Sequence, residues 1–520
     1  MAITQKSLQL PFSIVGPLIL AVLTVIGCSP ACDRELDNAS VEASKDLLGI
    51  WKVYNVDSKA NRKYEQSLIE FTQNTRGKLA AFCVDLRPSS LVWLDSREVS
   101  YQDGQLTFIL LNWGDSKTVF KGKLSGDKNS IHESSNDRYR LMLVRVDKPE
   151  TVSFMGQYKA LLKSGQKPFY QYEVPTETND GWSGASLSDC GMSERKVSEL
   201  VTRILQGKYK DIHDLLIVKN GKLVLEEYFR MKGRLHGPFI TETYRKKYHL
   251  WASATKSVTS LLIGIAIDKG LIKSVEVPVF DFFPEYGDLN SPEKKKIQLK
   301  HLLTMTAGLE WDQISEAPHD VHGMWSTDDV IRYYLEKPVT SEPGAVYNYS
   351  NGISTVLGAI VKNVSGIDAS VFSGKYLFNP LGITDFNWQY YPDGSVDTYG
   401  GIEMRPRDMA KIGQLILNQG SWSFRRIVSD VWIDESTTGR VKLTDTIWYG
   451  YQWRKKMFYT CGKNLDAVFS FGWGGQYVFV FPDIDMVVVS NACNFEYKSE
   501  RFLHEMLEKY ILPAALQDKE

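Results

Sequence analysis

The sequence predicts an α+β protein in which strands at both ends of a large domain enclose helices, with a small antiparallel all-β domain in front. Three observations carry this. From Leu47 to about Val146, short runs rich in β-branched and aromatic residues recur about every ten residues, with turn residues between them. In the remaining chain, helical periodicity is confined to the middle, in 253–269 and around 407–418. Strand-like runs return at 474–481 and 485–490, so both ends of that region can share one antiparallel sheet.

The 520 residues are comfortable for two domains. With 61 Lys+Arg against 62 Asp+Glu, the net charge is −1, which argues against nucleic acid or an anionic membrane surface as principal partner. Hydrophobic residues at 43% and charged residues at 24% exclude wholesale disorder and coiled coil.

The first element is a targeting segment. Lys6 supplies a positive start, and Ile14 to Gly27 is an uncharged, mostly apolar run of 14 residues. That is shorter than the roughly 20 residues of a membrane span and suits a secretory signal. The run ends in Val25-Ile26-Gly27-Cys28, which resembles the lipobox of bacterial lipoproteins. The resemblance implies a signal peptide over 1–27, cleavage before Cys28 and membrane attachment through lipidated Cys28. Ser29 after it points to the periplasmic side of the envelope, at the outer membrane. An ordinary signal peptide with an incidental Cys is the other reading.

Residues 33–147 form the all-β domain. Ile50–Tyr54, Ser67–Phe71, Leu91–Leu94, Leu106–Leu110 and Leu141–Val144 read as strands, with turn signals at Asp103-Gly104 and Ser125-Gly126-Asp127. A small barrel or sandwich is expected. Gly49-Ile50-Trp51 resembles the opening of lipocalin-like barrels. No chemistry is visible here, so the domain reads as an accessory module. Residues 148–185, with Pro149, Pro168 and Pro175, read as a linker lying along the next domain, 186–515. That domain opens with Leu215–Val218 and Leu223–Leu225 around Asn220-Gly221, a pair suited to a type I′ hairpin turn.

The cysteines are Cys28, Cys32, Cys83, Cys190, Cys461 and Cys493, with no C-x-x-C and no zinc spacing. A Cys461–Cys493 disulfide and buried free thiols are both open, and no catalytic role is assigned.

The chemistry starts at Ser253-Ala254-Thr255-Lys256, which opens an apolar helix. Spacing of i and i+3 puts hydroxyl and amine on one face, one turn apart. Backbone N–H groups at a helix start can steady a developing anion, and an amine held neutral can take the serine proton. The plain alternative is a capping Ser on a surface helix. Tyr349-Ser350-Asn351 follows in a loop, where a phenol can relay a proton and an amide can hold a substrate carbonyl. Late in the chain, Phe471-Gly472-Trp473-Gly474-Gly475 leads into a strand, where glycine lets substrate approach the backbone.

The order S-x-x-K, Y-x-N, Gly-rich strand resembles that of the serine β-lactamase and penicillin-binding superfamily, in particular its class C-like esterases and amidases, the 6-aminohexanoate-dimer hydrolase group included. Stretches 221–228, 301–309 and 407–413 add to the likeness, which covers roughly 185–515. It implies a β-lactamase-like α/β sandwich with a helical subdomain and an acyl-enzyme mechanism without cofactor or metal. Ser253 would be the nucleophile, Lys256 its base, Tyr349 the proton relay, and Asn351, Gly472 and Trp473 would bind substrate. The backbone N–H groups of Ser253 and a residue near Trp473 would form the oxyanion hole. With Gly472 aligned to the glycine of the family's K-T-G, Ser470 stands where β-lactamases carry Lys. In β-lactamases that lysine helps bind the β-lactam's carboxylate, so its absence speaks against efficient β-lactam hydrolysis and suits a small ester, amide or peptide-like substrate lacking that carboxylate.

Rival readings are a Ser-His-Asp hydrolase, a β-lactamase, a D-alanyl-D-alanine peptidase or cell-wall esterase, and a non-catalytic binding protein on the same fold. No G-x-S-x-G elbow supports the first. His249 reads as structural, His319-Asp320-Val321-His322 lacks further metal ligands, and Lys294-Lys295-Lys296 reads as a solvated loop. The sequence names no protein partner.

Overall fold

The computed structural model describes residues 46–57, 62–73, 79–86, 92–112, 117–134, 139–145, 170–229, 244–313, 319–494 and 501–516. The expected signal segment, Cys28 and Cys32 lie outside them. The chain divides into two compact units, Met1–Ser153 and Phe154–Glu520.

The first unit is one antiparallel sheet of eight strands: β1 (Gly49–Asp57), β2 (Arg62–Gln73), β3 (Leu79–Leu86), β4 (Val92–Gln102), β5 (Gln105–Asn112), β6 (Lys117–Leu124), β7 (Ser130–Glu133) and β8 (Tyr139–Arg145). The spatial order β3-β2-β1-β8-β7-β6-β5-β4 leaves β3 and β4 at the edges. The sheet is therefore open among the described residues, a correction to the closed barrel. Alternation fills one face with Trp51, Phe71, Phe108, Phe120, Ile131 and Leu143. Trp51 sits edge-on to Phe71 and donates its indole N–H to Leu47 O at 2.8 Å. Four of the five expected strands fall within described ones, and Leu91–Leu94 does so from Val92 on, Leu91 lying outside the described residues. Strands β3, β6 and β7 went unread, because Lys117–Leu124 carries three lysines and Ser130–Glu133 only one apolar residue.

In the second unit, α1 (Glu194–Leu205) is followed by the hairpin β9 (Ile212–Lys219) and β10 (Lys222–Tyr228). Asn220 and Gly221 have φ of 53° and 71°, as a type I′ turn demands. Next come β11 (His249–Leu250), α2 (Thr255–Asp268), α3 (Asn351–Ser365), β12 (Phe386–Trp388), β13 (Ile402–Met404) and α4 (Pro406–Leu417). The chain then adds β14 (Ser421–Trp422), β15 (Arg425–Arg426), β16 (Val441–Lys442), β17 (Ile447–Tyr449), β18 (Arg454–Thr460), β19 (Lys463–Gly472), β20 (Gln476–Phe481) and β21 (Met486–Ala492). The main sheet has the order β10-β9-β21-β20-β19-β18-β17-β16, so β9 from one end of the unit pairs with β21 from the other, as the sequence predicts.

Both faces of this sheet are covered. Val197, Leu200, Val201 and Ile204, one stripe of α1, pack with Ile217, Phe479 and Val488. The alternate residues face α4, where a Cβ on Gly413 would lie 2.5 Å from Val487 and 2.7 Å from Val478. Glycine there lets the helix seat against the strands. Tyr170 is buried in the α1-side core, so the described end of the expected linker lies along this unit.

The Cys461–Cys493 disulfide that the sequence leaves open is not formed. Cys461 follows the end of β18, while Cys493 follows the far end of β21, and the antiparallel registers place these at opposite ends of the sheet. Lys294 is also not solvated: it is buried and donates to Leu335 O at 2.6 Å.

Candidate active site

Ser253 occupies a single 3-10 turn, Ala252–Ala254, between β11 and α2. Ala252 has φ 45°, a strained conformation for a residue with a Cβ. The surroundings hold it: Trp251 is buried and donates its N–H to Ile402 O at 2.9 Å, and α2 is buried from Thr255 through Ala266. The serine is thus presented, partly exposed, at the mouth of a rigid helix.

Lys256 is one turn further on and only 2% exposed. Its Nζ lies 3.0 Å from Ser253 Oγ, 2.9 Å from Asn351 Oδ1 and 3.0 Å from Tyr399 O. The last two are carbonyl oxygens and can only accept. A neutral amine has two N–H bonds and one lone pair. With both N–H bonds taken by the carbonyls, the lone pair is left for the serine hydroxyl. Burial moves Lys256 in the needed direction, pushing its pKa below the usual lysine range against the opposing pull of Tyr349 and Asp397.

The Tyr399 carbonyl is held by its own loop. Asp397 Oδ1 accepts the N–H of Tyr399 at 3.0 Å and of Gly400 at 2.9 Å. Thr259 of α2 donates to Thr398 O at 2.7 Å, and Thr398 donates to Ser354 O of α3 at 2.8 Å. The turn is therefore pinned between the two helices that carry Lys256 and Asn351. Burial raises the Asp397 carboxyl to about 7.

Tyr349 precedes α3, its ring centroid 4.9 Å from Lys256 Nζ. Burial opposes its ionisation, yet Lys256 and Arg454, with Ser253 as a further partner, bring its pKa below the ordinary phenol value. Asn351, expected to hold substrate, is 3% exposed and gives its amide oxygen to Lys256, so it positions that amine. Ser350 between them caps α3, accepting the N–H of Ile353 at 3.3 Å.

Gly472 ends β19 against the nucleophile turn: a Cβ there would lie 2.1 Å from Trp251 O. Only glycine allows the strand so close. Trp473, next in the chain, is half-buried, and its carbonyl accepts from Gln476 at 3.1 Å. Ser470, at the position of the missing lysine, is 1% exposed.

Arg454 is the residue that sequence reasoning missed. It stands on β18 opposite Phe469 in register and lines the cleft with Ser253, Lys256, Tyr349, Tyr449, Phe469 and Phe471. Its guanidinium lies 4.6 Å from the Phe471 ring centroid. In sequence it is one of three consecutive basic residues, Arg454-Lys455-Lys456, which gave no reason to single it out.

His249 is neutral at ordinary pH, since burial lowers its pKa to about 4, and it hydrogen-bonds His213 at 3.0 Å. His319 and His322 stack at 4.2 Å; among the described residues no cluster of three or more His, Cys, Asp and Glu side chains forms. A larger cleft of about 300 Å³ lies between Trp182, Asn220, Gln414 and Trp422 and shares no lining residue with the serine site.

A serine on a strained helix entry, a buried lysine one turn away and a phenol facing both, beside the end of a sheet strand, are the arrangement of a serine hydrolase. The chain belongs to the Beta-lactamase family, whose model matches residues 210–503. It is 26% identical over 298 residues to 6-aminohexanoate-dimer hydrolase of Paenarthrobacter ureafaciens, a match covering 53% of this chain and 71% of that protein. It is 24% identical over 187 residues to lovastatin esterase of Penicillium rubens, covering 32% and 46% respectively, so it spans under half the length of that relative. In fold it is similar to EstCE1, a hydrolase with promiscuous acyltransferase activity, with TM-score 0.50, 15% identity and coverage of 62% and 98%.

Proposed function

We propose that this protein hydrolyses a small ester or amide through an acyl-enzyme on Ser253. The observation that carries this is the bonding of Lys256, whose two carbonyl partners leave its lone pair for Ser253 Oγ. Lys256 Nζ takes the Oγ proton as Oγ bonds to the substrate carbonyl carbon, and that carbonyl oxygen becomes an oxyanion. The N–H groups of Ser253 and Trp473 serve as its donors; losing one such donor costs on the order of 3 kcal/mol in other serine hydrolases. Collapse expels the alcohol or amine, which receives the proton through Tyr349. Water then attacks the acyl carbonyl by the same route in reverse, releasing the acid and restoring Ser253 Oγ–H. The relatives named as a 6-aminohexanoate-dimer hydrolase and a lovastatin esterase support the reaction class.

The protein is further proposed to be exported and lipid-anchored through Cys28, with the hydrolase unit on the periplasmic side of the outer membrane. Val25–Cys28 and the apolar run before it support this; metabolic labelling with an alkyne fatty acid, lost in Cys28→Ala, tests it.

The hydrolase reading is tested by incubating protein lacking residues 1–28 with a fluorophosphonate, 4-nitrophenyl acetate and nitrocefin. A single adduct on Ser253 with ester turnover supports it. Rapid nitrocefin hydrolysis would restore the β-lactamase reading despite Ser470, and neither adduct nor turnover would favour the binding protein.

A further inference from the structure

We infer that Arg454 is a specificity residue and that the substrate carries a carboxylate, which this guanidinium binds while Ser253 attacks; this rests on the hydrolase reading above. Arg454 lines the same cleft as Ser253 and Lys256, stacked on Phe471, and makes no ion pair among the described residues. Among the described residues of this unit the two buried arginines are neutralised, Arg245 by Glu226 at 2.9 Å and Arg407 by Asp180 at 2.6 Å and Glu226 at 2.8 Å, whereas half-buried Arg454 is not. A half-buried guanidinium on a cleft wall keeps N–H donors free for a ligand, and a bidentate anion is their natural complement.

The rest of the cleft points the same way. Its lining holds one fixed cation, Arg454, beside the neutral Lys256 amine, and no carboxylate. The acidic group that reaches Lys256 electrostatically, Asp397, is buried with its Oδ1 committed to backbone N–H groups. Around Arg454 stand Tyr347, Tyr349 and Tyr449, whose hydroxyls can add donors to a bound carboxylate. β18 and β19 pair Arg454 with Phe469, so Arg454 stands on the face of Phe469 and Phe471 and not on that of Ser470, where β-lactamases carry lysine.

The test compares kcat/KM for 4-nitrophenyl acetate and for the mono-4-nitrophenyl ester of glutaric acid in wild type, Arg454→Met and Arg454→Lys. Wild type should prefer the acidic ester by about 10- to 100-fold, the worth of one hydrogen-bonded charge contact. In Arg454→Met that preference should collapse, chiefly through KM, with Arg454→Lys keeping part of it. A wild type without preference overturns the proposal even if no variant folds, and so does a preference that Arg454→Met retains. If wild type turns over neither ester and forms no Ser253 adduct, the hydrolase reading fails instead. Calorimetric titration with glutarate then decides for Arg454: saturable binding lost in Arg454→Met supports it, and no binding overturns it.

Discussion

Replacing Asn351 with Leu tests whether the bonding of Lys256, rather than mere proximity, makes it the base. The side chain is buried, and Leu is close to it in size, so the main loss is the carbonyl at 2.9 Å from Lys256 Nζ. Two consequences follow from the geometry. The neutral amine then has one N–H bond without its acceptor and can rotate it toward Ser253, turning the lone pair away. One hydrogen bond to a charged group is worth about 1.5–3 kcal/mol, so the plateau of kcat/KM should fall about 10- to 100-fold. The ammonium form also loses an acceptor that favoured it, so the Lys256 pKa, already depressed by burial, should fall further. A base must be unprotonated, so wild-type kcat/KM rises as pH rises through the Lys256 pKa, and this limb should move to lower pH in the variant. The assay is 4-nitrophenyl acetate turnover across pH, with thermal melts to confirm folding. An unchanged plateau and an unmoved limb in a folded variant would refute the reasoning.

Ser253→Ala should abolish fluorophosphonate labelling and turnover while leaving the urea midpoint unchanged, since it removes one partly exposed oxygen; Lys256→Met should lower kcat by about 10²- to 10⁴-fold, both read in the same ester assay. Gly472→Ala should push the end of β19 off the nucleophile turn, because its Cβ meets Trp251 O at 2.1 Å. The expected cost is about 1–3 kcal/mol of stability from overpacking, together with a loss in kcat far exceeding any change in KM. Burial raises the Asp214 carboxyl to about 8 against the opposing hydrogen bonds from Asn491, and Asp397 to about 7. Both bind their protons more tightly folded than unfolded, so their contribution is fully present below about pH 4 and is lost as pH rises through 7 to 8. Urea midpoints at pH 5, 7 and 9 should therefore fall, and less steeply in Asp214→Asn; an equal fall in the variant would count against it.

Local spacing was legible wherever neighbours in the chain decide the outcome. The i, i+3 relation of Ser253 and Lys256, the type I′ turn at Asn220-Gly221 and the hydrophobic stripe of the helix at 406–417 depend on a few consecutive residues. The pairing of β9 with β21 was legible too, since strand-like runs at both ends left the helices one sheet to pack on. Strands whose faces mix lysine with single aromatics, such as β6, were not legible, because their periodicity appears only once a partner fixes which face is inward.

By itself the sequence singled out Ser253, Lys256 and Tyr349 and determined the sheet-forming ends of the domain. Tertiary structure decided what those groups touch. Asn351 and Tyr399 meet Lys256 across 95 and 143 residues, and no local rule distinguishes an amide that binds substrate from one that holds the base. Arg454 became a cleft residue only through the register of β18 on β19, since a one-residue slip would turn it to the other face. Spacing along the chain sets which groups share a turn, whereas register and helix docking set which groups share a dry pocket, where burial changes their chemistry.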